Sequence, residues 1–446
     1  MASLRRIALP YTLDSSWVYS ALKKLPLAVY LDSAAAHGER GHWDVITADP
    51  IKTISLLTNS CDDIKKQLLN IENELSDISK RYIGASDLPF TGGAIGYLSY
   101  DFGEQAQAGL SAISSDLPLL HIGIYPWAVI VDHQHQRCEL VAQASVAEAK
   151  IQQLQFLLTG PQLDVEEPNF KLTTPFTSSL GRDDYARAFS KVKTYIDAGD
   201  CYQINLTREF SANYSGEPWA AYLQLREVAA APFSAYMDLG PSQILCLSPE
   251  RLLSAVERKL QTQPIKGTAA RSNDPSEDQA LATALLSSAK NRAENIMIVD
   301  LLRNDFSKSC RPDSVVTESL CELQSFRTVH HLVSTVSGYL RDNQSEFGAL
   351  LACFPGGSIT GAPKQRAMEI IREIEPHRRS AYCGSIFYLG AEGKMDSNIA
   401  IRSFVCHEQQ ISAWAGGGIV ADSQLEEEFV ETETKISKLL ETLANL

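Results

Sequence analysis

Lys266 and Glu250 are the residues whose types and spacing best suit covalent chemistry in this sequence. Lys266 lies in PIKGT, between a β-like run and a glycine turn, and Glu250 lies sixteen residues earlier in SPER. Two short strands joined by a turn would bring both side chains into one cleft. A desolvated lysine can act as a nucleophile, and a buried glutamate can act as general acid and base. A solvated lysine, and a surface ion pair between Glu250 and Arg251, are the alternatives.

Carboxylates collect in two helical segments and could supply oxygen ligands. Glu294 lies in NRAENIMIVDLLRND, whereas Glu428 and Glu431 lie three residues apart in LEEEFVETETK and share a helix face. Oxygen ligands from two helices, with positions left for water and substrate, suit Mg²⁺. An acidic helix start that complements the helix dipole is the alternative, above all for residues 426–428.

Glycine-rich segments and a histidine pair offer further candidate sites. AGGGIVAD (415–422) could form an anion-binding nest of backbone N–H groups or simply a tight turn. PGGSITGAPK (355–364) resembles a phosphate-binding loop, but its lysine does not directly follow the second glycine, so nucleotide binding is not predicted. Adjacent residues point apart, so we expect one of His330 and His331 in a pocket or core and the other exposed.

Composition excludes several classes of function. The chain has 446 residues, 44% of them hydrophobic, and a net charge of −14, so it lacks the positive field that nucleic acids or anionic membranes attract. No apolar run reaches the ~18 residues of a membrane helix, and MASLRRIALPYTLDSSW is too weakly apolar to predict a signal peptide. Nine scattered cysteines, never spaced as CxxC, indicate free thiols and a cytoplasmic protein.

The pattern of elements favours an α+β fold with extensive antiparallel sheet. A segment rich in Pro, Gly, Ser and Thr at 159–182 predicts a boundary between an N-terminal region (1–160) and a second region (183–446). Strands are expected within 127–143 and 242–271, and a helix running into a strand at 185–206. Further helices are expected at 61–80, near 146–158, at 276–303 and in the last segment, VETETKISKLLETLANL. The helix at 276–303 is expected to be the longest. There is no regular βαβα alternation.

These segments together resemble the chorismate-utilising enzymes. Nine motifs occur in the order found in that family, over about residues 185–446. They are SPER, PIKGT, NRAENIMIVDLLRND, HHLVS, GSITGAPK, YCG, IAIRS, AGGGIV and ETETK. YLDSAAAHGERGHWDVITADP and GGAIGYLSYD resemble the N-terminal region of the amidotransferase-partnered members. The resemblance implies a large α+β body with antiparallel sheets packed as a sandwich and helices outside, both regions forming one body.

Within that family, the lysine of PIKGT indicates the branch. Aminodeoxychorismate synthases carry this lysine, whereas anthranilate synthases, the alternative branch, typically have alanine there. By resemblance, the Lys266 amine attacks C2 of chorismate as the C4 hydroxyl leaves. Ammonia then adds at C4 and expels the lysine, giving 4-amino-4-deoxychorismate on the route to 4-aminobenzoate and folate. Glu250 would protonate the departing hydroxyl and later take a proton from ammonia.

The resemblance also implies a ligand set and partners. Mg²⁺ would be held by Glu294 and Glu431, with Glu428 beside them, and would bind the ring carboxylate of chorismate. The residues implied for the rest of the substrate pocket are Arg402, Tyr382, Lys435, Gly416, Gly417, Gly418, His331 and Thr360. Ammonia would come from a separate glutamine amidotransferase subunit in a heterodimer, because the chain shows no glutaminase-type cysteine nucleophile.

Relatives in this branch can also hold tryptophan in the N-terminal region. The matching positions are Ser33, Arg40, Gly41, His42, Trp43, Pro232, Phe233 and Ser234. The anthranilate synthase pattern has glutamate before the serine, whereas this chain has Asp32. That departure argues against regulation by tryptophan.

Overall fold

Two antiparallel sheets, packed face to face, organise the chain. The structure, a computed structural model, describes residues 3–34, 41–57, 61–110, 117–160, 169–325 and 329–446. Within these ranges the strands are β1 (Arg5–Leu9), β2 (Val29–Asp32), β3 (Trp43–Thr47), β4 (Lys52–Leu56), β5 (Gly93–Leu98), β6 (Leu120–Tyr125), β7 (Trp127–Asp132), β8 (Arg137–Ala142), β9 (Phe170–Leu172), β10 (Thr177–Ser178), β11 (Gln203–Gly216), β12 (Phe233–Asp238), β13 (Ser242–Ser248), β14 (Arg251–Val256), β15 (Lys259–Thr262), β16 (Ile265–Ala270), β17 (Val316–Ser325), β18 (Val329–Tyr339), β19 (Gly361–Ala362), β20 (Ser385–Gly390), β21 (Met395–Asn398), β22 (Ser403–His407) and β23 (Gln410–Ile419).

The helices lie around the sheets. They are α1 (Ser16–Leu22), α2 (Cys61–Arg81), α3 (Tyr100–Ala108), α4 (Glu148–Thr159), α5 (Arg182–Asp197), α6 (Pro218–Ala229), α7 (Pro275–Ser287), α8 (Ala289–Ser309), α9 (Glu346–Cys353), α10 (Lys364–Ile374), α11 (Leu425–Thr434) and α12 (Ser437–Ala444). In the described part of the chain, none of them is both long and apolar enough to cross a bilayer.

Each sheet contains a block of strands from the first part of the chain and a block from the second, joined by one strand pairing. The larger sheet has the order β1-β8-β7-β3-β2-β12-β13-β22-β23-β11-β10, with β9 and β19 also pairing with β11. The smaller sheet has the order β16-β18-β15-β14-β21-β20-β5-β6-β4, with β17 pairing with β18. Strand β2 thus pairs with β12, and β5 with β20. The sheets join strands from both sides of the segment at 159–182.

The core has two layers, one on each face of the larger sheet. Residues such as Val45 and Ile244 of the larger sheet pack with Ile95 and Leu253 of the smaller sheet, which places this layer between the sheets. On the other face of the larger sheet, a second cluster joins its strands to α1, α4, α6 and α12. Because every strand pairing is antiparallel, the α+β prediction is confirmed.

Several elements follow the sequence pattern, and two differ from it. The structure confirms the strands within 127–143, the helix at 61–80 and the transition from helix to strand at Gly199. Gly199 has a left-handed φ of +81°, a conformation that ends the helix. The expected long helix at 276–303 is instead α7 and α8, because Ser288 is extended and its hydroxyl caps the Asn291 N–H. The last segment likewise forms two helices, α11 and α12, broken at Ile436.

Candidate active site

A β-bulge presents Lys266 at the end of the smaller sheet. Ile265 pairs with Val333 and the next pair joins Thr268 to His331, so Lys266 and Gly267 together oppose a single residue of β18. Gly267 has a φ of +94°, a conformation that a side chain would strain. Bulges of this kind re-aim a side chain out of the regular ladder. The PIKGT sequence therefore encodes the local geometry that presents its lysine.

Glu250 is held beside this bulge, between β13 and β14. Its residue is only 8% exposed, and its Oε1 accepts a hydrogen bond from Ser358 Oγ at 3.3 Å. The backbone N–H of Ile265 also supports the carboxylate, which places Glu250 next to the residue before Lys266. Burial raises the pKa of Glu250 to about 7, and the charge of Lys266 is the largest opposing influence. A carboxyl group that titrates near neutrality can both donate and accept a proton.

Lys266 is half-buried, and desolvation lowers the pKa of its amine. The carboxylates of Glu294 and Glu250 oppose that change, and so, more weakly, does Glu431, whereas Lys435 adds to it. These influences show that residues from β16, α8, α11 and the β13–β14 junction share one electrostatic environment. A lowered pKa enlarges the neutral, nucleophilic fraction of the amine.

The acidic residues of α11 meet the glycines of β23. Glu428 is 4% exposed; its Oε1 accepts from Ser423 Oγ at 2.6 Å, while its Oε2 is buried without a hydrogen-bond partner. A Cβ on Gly417 would lie 2.8 Å from that Oε2 and 3.5 Å from Glu431 Oε1. A side chain at position 417 would therefore displace the Glu428 carboxylate. Burial raises the pKa of Glu428, and the charge of Glu431 adds to this.

This donor set suits a divalent cation, although the side chains are not closed around one. Among the described residues, no three His, Cys, Asp or Glu side chains converge closely enough to hold a metal ion as they stand. Glu431 instead pairs with Lys435 at 2.5 Å. However, a buried carboxylate oxygen without a partner, as in Glu428, is costly unless a cation or donor satisfies it. The residues fit Mg²⁺ on that ground.

The glycines of β23 lie in extended strand, so the predicted nest conformation is wrong. Gly416, Gly417 and Gly418 pair with residues 207, 206 and 205 of β11. On its other side β23 pairs with β22 only at residues 410–413, so no strand of the described chain covers that edge at the glycines. Lys435 Nζ donates to the Gly416 carbonyl at 2.8 Å. The segment is therefore an open strand edge beside a cation.

Arg402 is a cation without a side-chain partner among the described residues. Arg402 is an exposed residue with a left-handed φ of +50°. No other side chain of the described residues pairs with its guanidinium. Desolvation by the surrounding protein lowers its pKa. An unpaired guanidinium in such surroundings is suited to bidentate carboxylate binding.

The remaining predicted pocket residues differ in how buried they are and in which protein groups they contact. Tyr382 is buried and stacks on Trp414 of β23, with ring centroids 6.0 Å apart. The Thr360 hydroxyl is fully buried and donates to the Gly356 carbonyl at 3.0 Å, so it shapes the loop before α10. His331 is half-buried and contacts Thr268 Oγ1 at 2.8 Å, whereas His330 is buried and contacts Asp278 Oδ1 at 3.0 Å. The two histidines do point apart.

Three of the predicted tryptophan-binding positions, Ser33, Gly41 and Pro232, lie together where β2 and β12 pair, whereas Arg40 lies outside the described residues. A Cβ on Gly41 would lie 3.1 Å from Ser33 Cβ and 3.3 Å from the Pro232 carbonyl. Trp43 and His42 contact each other with ring centroids 5.0 Å apart. Phe233 lies under the Arg251 guanidinium at 4.9 Å, and Ser234 Oγ donates to the Ala231 carbonyl at 2.8 Å. Tryptophan binding stays a prediction.

Asp32, the departure from the anthranilate synthase pattern, is fully engaged. Arg226 Nε donates to Asp32 Oδ2 at 2.6 Å and the Tyr222 hydroxyl donates to the same oxygen at 2.9 Å. The backbone N–H of Ala34 donates to Oδ1 at 2.7 Å. The neighbouring Ser33 hydroxyl donates to Asp44 Oδ1 at 2.7 Å. Both side chains are therefore held by protein partners.

Sequence reasoning missed two kinds of residue at this site. Ser358 lies in the GSITGAPK motif, yet only the fold shows that it contacts Glu250. Gln203 and Asn205 are buried on β11 and carry amide atoms without partners: both polar atoms of Gln203 and the Oδ1 of Asn205. They lie within about 3 Å of the Cβ positions of Gly418 and Gly416. Their position in CYQINLT, directly after a helix, gave no signal of a pocket.

Comparisons with known proteins identify the family of the chain. The family profile of chorismate-binding enzymes matches residues 27–441. The chain belongs to the chorismate-binding enzyme family. Among its members, aminodeoxychorismate synthase component 1 of Escherichia coli is 42% identical over 96% of each chain, and that of Klebsiella aerogenes is 39% identical over 99% of this chain and 100% of the relative. Anthranilate synthase component 1 of Thermus thermophilus is 37% identical over 80% of this chain and 78% of the relative.

Solved structures of the family share the fold. Anthranilate synthase component I from Streptococcus pneumoniae aligns with a TM-score of 0.76 at 30% identity, covering 90% of this chain and 92% of that one. The menaquinone-specific isochorismate synthase of Escherichia coli aligns with a TM-score of 0.73 at 19% identity, covering 100% and 95%. The second likeness bears on the fold alone.

Proposed function

We propose that this chain is the synthase component of an aminodeoxychorismate synthase, which converts chorismate and ammonia to 4-amino-4-deoxychorismate and water. The observation that carries the proposal is the bulge that presents Lys266, an amine of lowered pKa, beside Glu250, a carboxyl of raised pKa. The full-length similarity to aminodeoxychorismate synthase component 1 of Escherichia coli supports the same branch.

In this proposal Lys266 is the nucleophile and Glu250 moves the protons. The neutral Lys266 amine attacks C2 of chorismate, and the C4 hydroxyl leaves as water with the proton of Glu250. Ammonia then adds at C4 and expels the lysine from C2. The Glu250 carboxylate takes a proton from the added nitrogen, which restores the acid for the next turnover. One group can serve both steps because donating its proton leaves it ready as a base.

The substrate carboxylates would be held by the groups around this pair. Arg402 and the open edge of β23 at Gly416–Gly418 supply hydrogen-bond donors for one carboxylate. Glu294, Glu428 and Glu431 would hold Mg²⁺, which supplies positive charge for the other. This arrangement suits a chain whose net charge is −14, because the positive charge is concentrated where the dianionic substrate binds.

We further propose a glutamine amidotransferase as partner in a heterodimer, and a cytoplasmic location. Relatives named "component 1" support a second component. The buried free thiols among the described cysteines, such as Cys246 and Cys383, suit a reducing compartment.

Product analysis tests the proposal. Purified protein is incubated with chorismate, Mg²⁺ and ammonium at mildly alkaline pH, and products are separated by chromatography with mass detection. Aminodeoxychorismate is expected, and Lys266→Ala should abolish it, whereas Lys259→Ala on β15, which is separated from β16 by β18, should not. Anthranilate or isochorismate would overturn the assignment of the branch. If nothing forms, adding an amidotransferase with glutamine separates a partner-dependent synthase from a protein that only binds chorismate.

A further inference from the structure

Lys364 makes a buried ion pair between two segments that both reach the candidate active site. Its Nζ donates to Asp305 Oδ2 at 2.7 Å and to the Cys353 carbonyl at 2.9 Å. The Asp305 side chain is 1% exposed and that of Lys364 is 11% exposed. A buried carboxylate of this kind needs a cation, because water cannot compensate its charge. Neither residue has a place in the chemistry proposed above.

The first segment is the loop that supports Glu250. It runs from Cys353 to Lys364. The Lys364 Nζ donates to the Cys353 carbonyl, so this hydrogen bond holds the two ends of the loop together. Midway along it, Ser358 donates to Glu250. The far end of the loop pairs with β11 through Gly361 and Ala362, next to the glycine strand β23.

The second segment is α8, which carries Glu294 at one end and Asp305 at the other. Eleven residues separate them, roughly three turns of helix, so both side chains lie on nearly the same face about 16 Å apart. The loop rests on the same helix, because a Cβ on Gly357 would lie 2.2 Å from Leu301 Cδ2. Contact at Leu301 and the ion pair at Asp305 therefore join the loop to the helix at two successive points.

We propose that Lys364 is a positioning residue for the catalytic pair: by binding Asp305 it fixes the loop that holds Glu250 against the helix that carries Glu294. Both carboxylates influence the charge state of Lys266, so the relative placement of the two segments sets the environment of the nucleophile. The inference rests on the proposed function for its catalytic readout. It assigns a role to the lysine of GSITGAPK and to the second aspartate of VDLLRND.

Lys308 provides a matched control. Its Nζ donates to the other oxygen of the same carboxylate, Asp305 Oδ1, at 2.8 Å, but its side chain is 47% exposed and, in the described structure, makes no hydrogen bond to residues 353–364. Replacing Lys308 removes one cation from Asp305 and leaves the loop attached. Replacing Lys364 removes the other cation and detaches the loop.

The test compares Lys364→Met, Lys364→Arg, Lys308→Met and the double variant Asp305→Asn/Lys364→Met. Two quantities are measured: kcat/KM for chorismate with ammonium, and the pKa of Glu250 in the unliganded protein. The pKa comes from an infrared titration of the carboxyl band that Glu250→Gln removes. The Ser358 hydrogen bond lowers the pKa of Glu250, so displacing the loop should raise it.

Lys364→Met should lower kcat/KM at least tenfold and move the Glu250 titration to higher pH, while Lys308→Met stays within twofold of the wild type. Lys364→Arg should recover part of the activity. Lys364→Met leaves the buried Asp305 carboxylate with only the half-exposed Lys308 as a cation, whereas the double variant has no charge at position 305, so it should regain stability but not activity. Recovery of both stability and activity in the double variant would overturn the positioning role of Lys364. An unchanged pKa of Glu250 in Lys364→Met would overturn it too. If the wild type forms no aminodeoxychorismate even with an amidotransferase and glutamine, the proposed function fails, but the titration still reports on Lys364.

Discussion

Replacing Glu250 by glutamine should abolish turnover and, at alkaline pH, make the folded protein more stable. The wild-type carboxyl group is 8% exposed, and burial raises its pKa from 4.5 to about 7. One pKa unit corresponds to about 1.36 kcal/mol of free energy. Ionising Glu250 in its folded position therefore costs about 3 kcal/mol relative to the unfolded chain. Glutamine has a similar shape and does not ionise.

The pH dependence follows from which state holds the proton. Below pH 4.5 the carboxyl group is protonated in both states and contributes no penalty. Between pH 4.5 and about 7 the unfolded chain loses the proton while the folded protein keeps it, so wild-type stability falls as pH rises. Above pH 7 the full penalty is present. The stability difference between Glu250→Gln and wild type should thus grow from nearly zero at pH 4 to about 3 kcal/mol at pH 8.

Denaturant unfolding of both proteins between pH 4 and pH 8 measures this difference. Glu148→Gln, on the exposed side of α4, controls for the loss of a carboxylate far from the cleft. A difference that stays constant across this pH range would refute the reasoning, because Glu250 would then ionise in the folded protein as it does in water. It would also remove the physical basis for its role as an acid.

Three further perturbations test other parts of the site. Lys266→Ala should eliminate the covalent adduct with chorismate, seen as a mass increase of the intact protein after acid quench; an adduct that persists would exclude Lys266 as the nucleophile. Glu431→Ala should weaken Mg²⁺ binding at least tenfold by calorimetry, since it removes one of two carboxylates beside Gly417, and unchanged binding would remove its metal role. Gln203→Leu should raise KM for chorismate about tenfold without lowering thermal stability, because an amide without protein partners is free to bind substrate. A lower melting temperature with an unchanged KM would instead assign Gln203 to the core.

Local pattern predicted the elements of this fold better than their partners. The alternation in 127–143 and the helical period after residue 185 depend on neighbours a few residues away, and both are confirmed. The break at Ser288 was missed because the segment has helical spacing on both sides of it. Only the extended backbone of the cap and its side-chain hydrogen bond reveal two helices.

The candidate site was predictable where one motif contains both the functional residue and the turn that presents it. Lys266 and Gly267 are adjacent in PIKGT, so sequence showed both the amine and the irregular backbone. The contact of Ser358 with Glu250 joins residues 108 positions apart, and no local pattern records it. The glycines of β23 were misjudged for a related reason: a run of glycines suggests turns, whereas here small residues leave room for the Glu428 carboxylate.

The pairing of early strands with late ones has a consequence for how the chain is made. Strand β2 meets its neighbour β12 only after roughly 200 further residues have been synthesised, and β5 meets β20 after roughly 300. At about 5–20 residues per second, β5 leaves the ribosome roughly 15–60 seconds before its partner exists. During that time its apolar edge is open to pairing with other chains. The first third of the polypeptide therefore cannot complete its folding until translation is nearly finished, and expression yield should depend on elongation rate and on chaperones that cover unpaired strands.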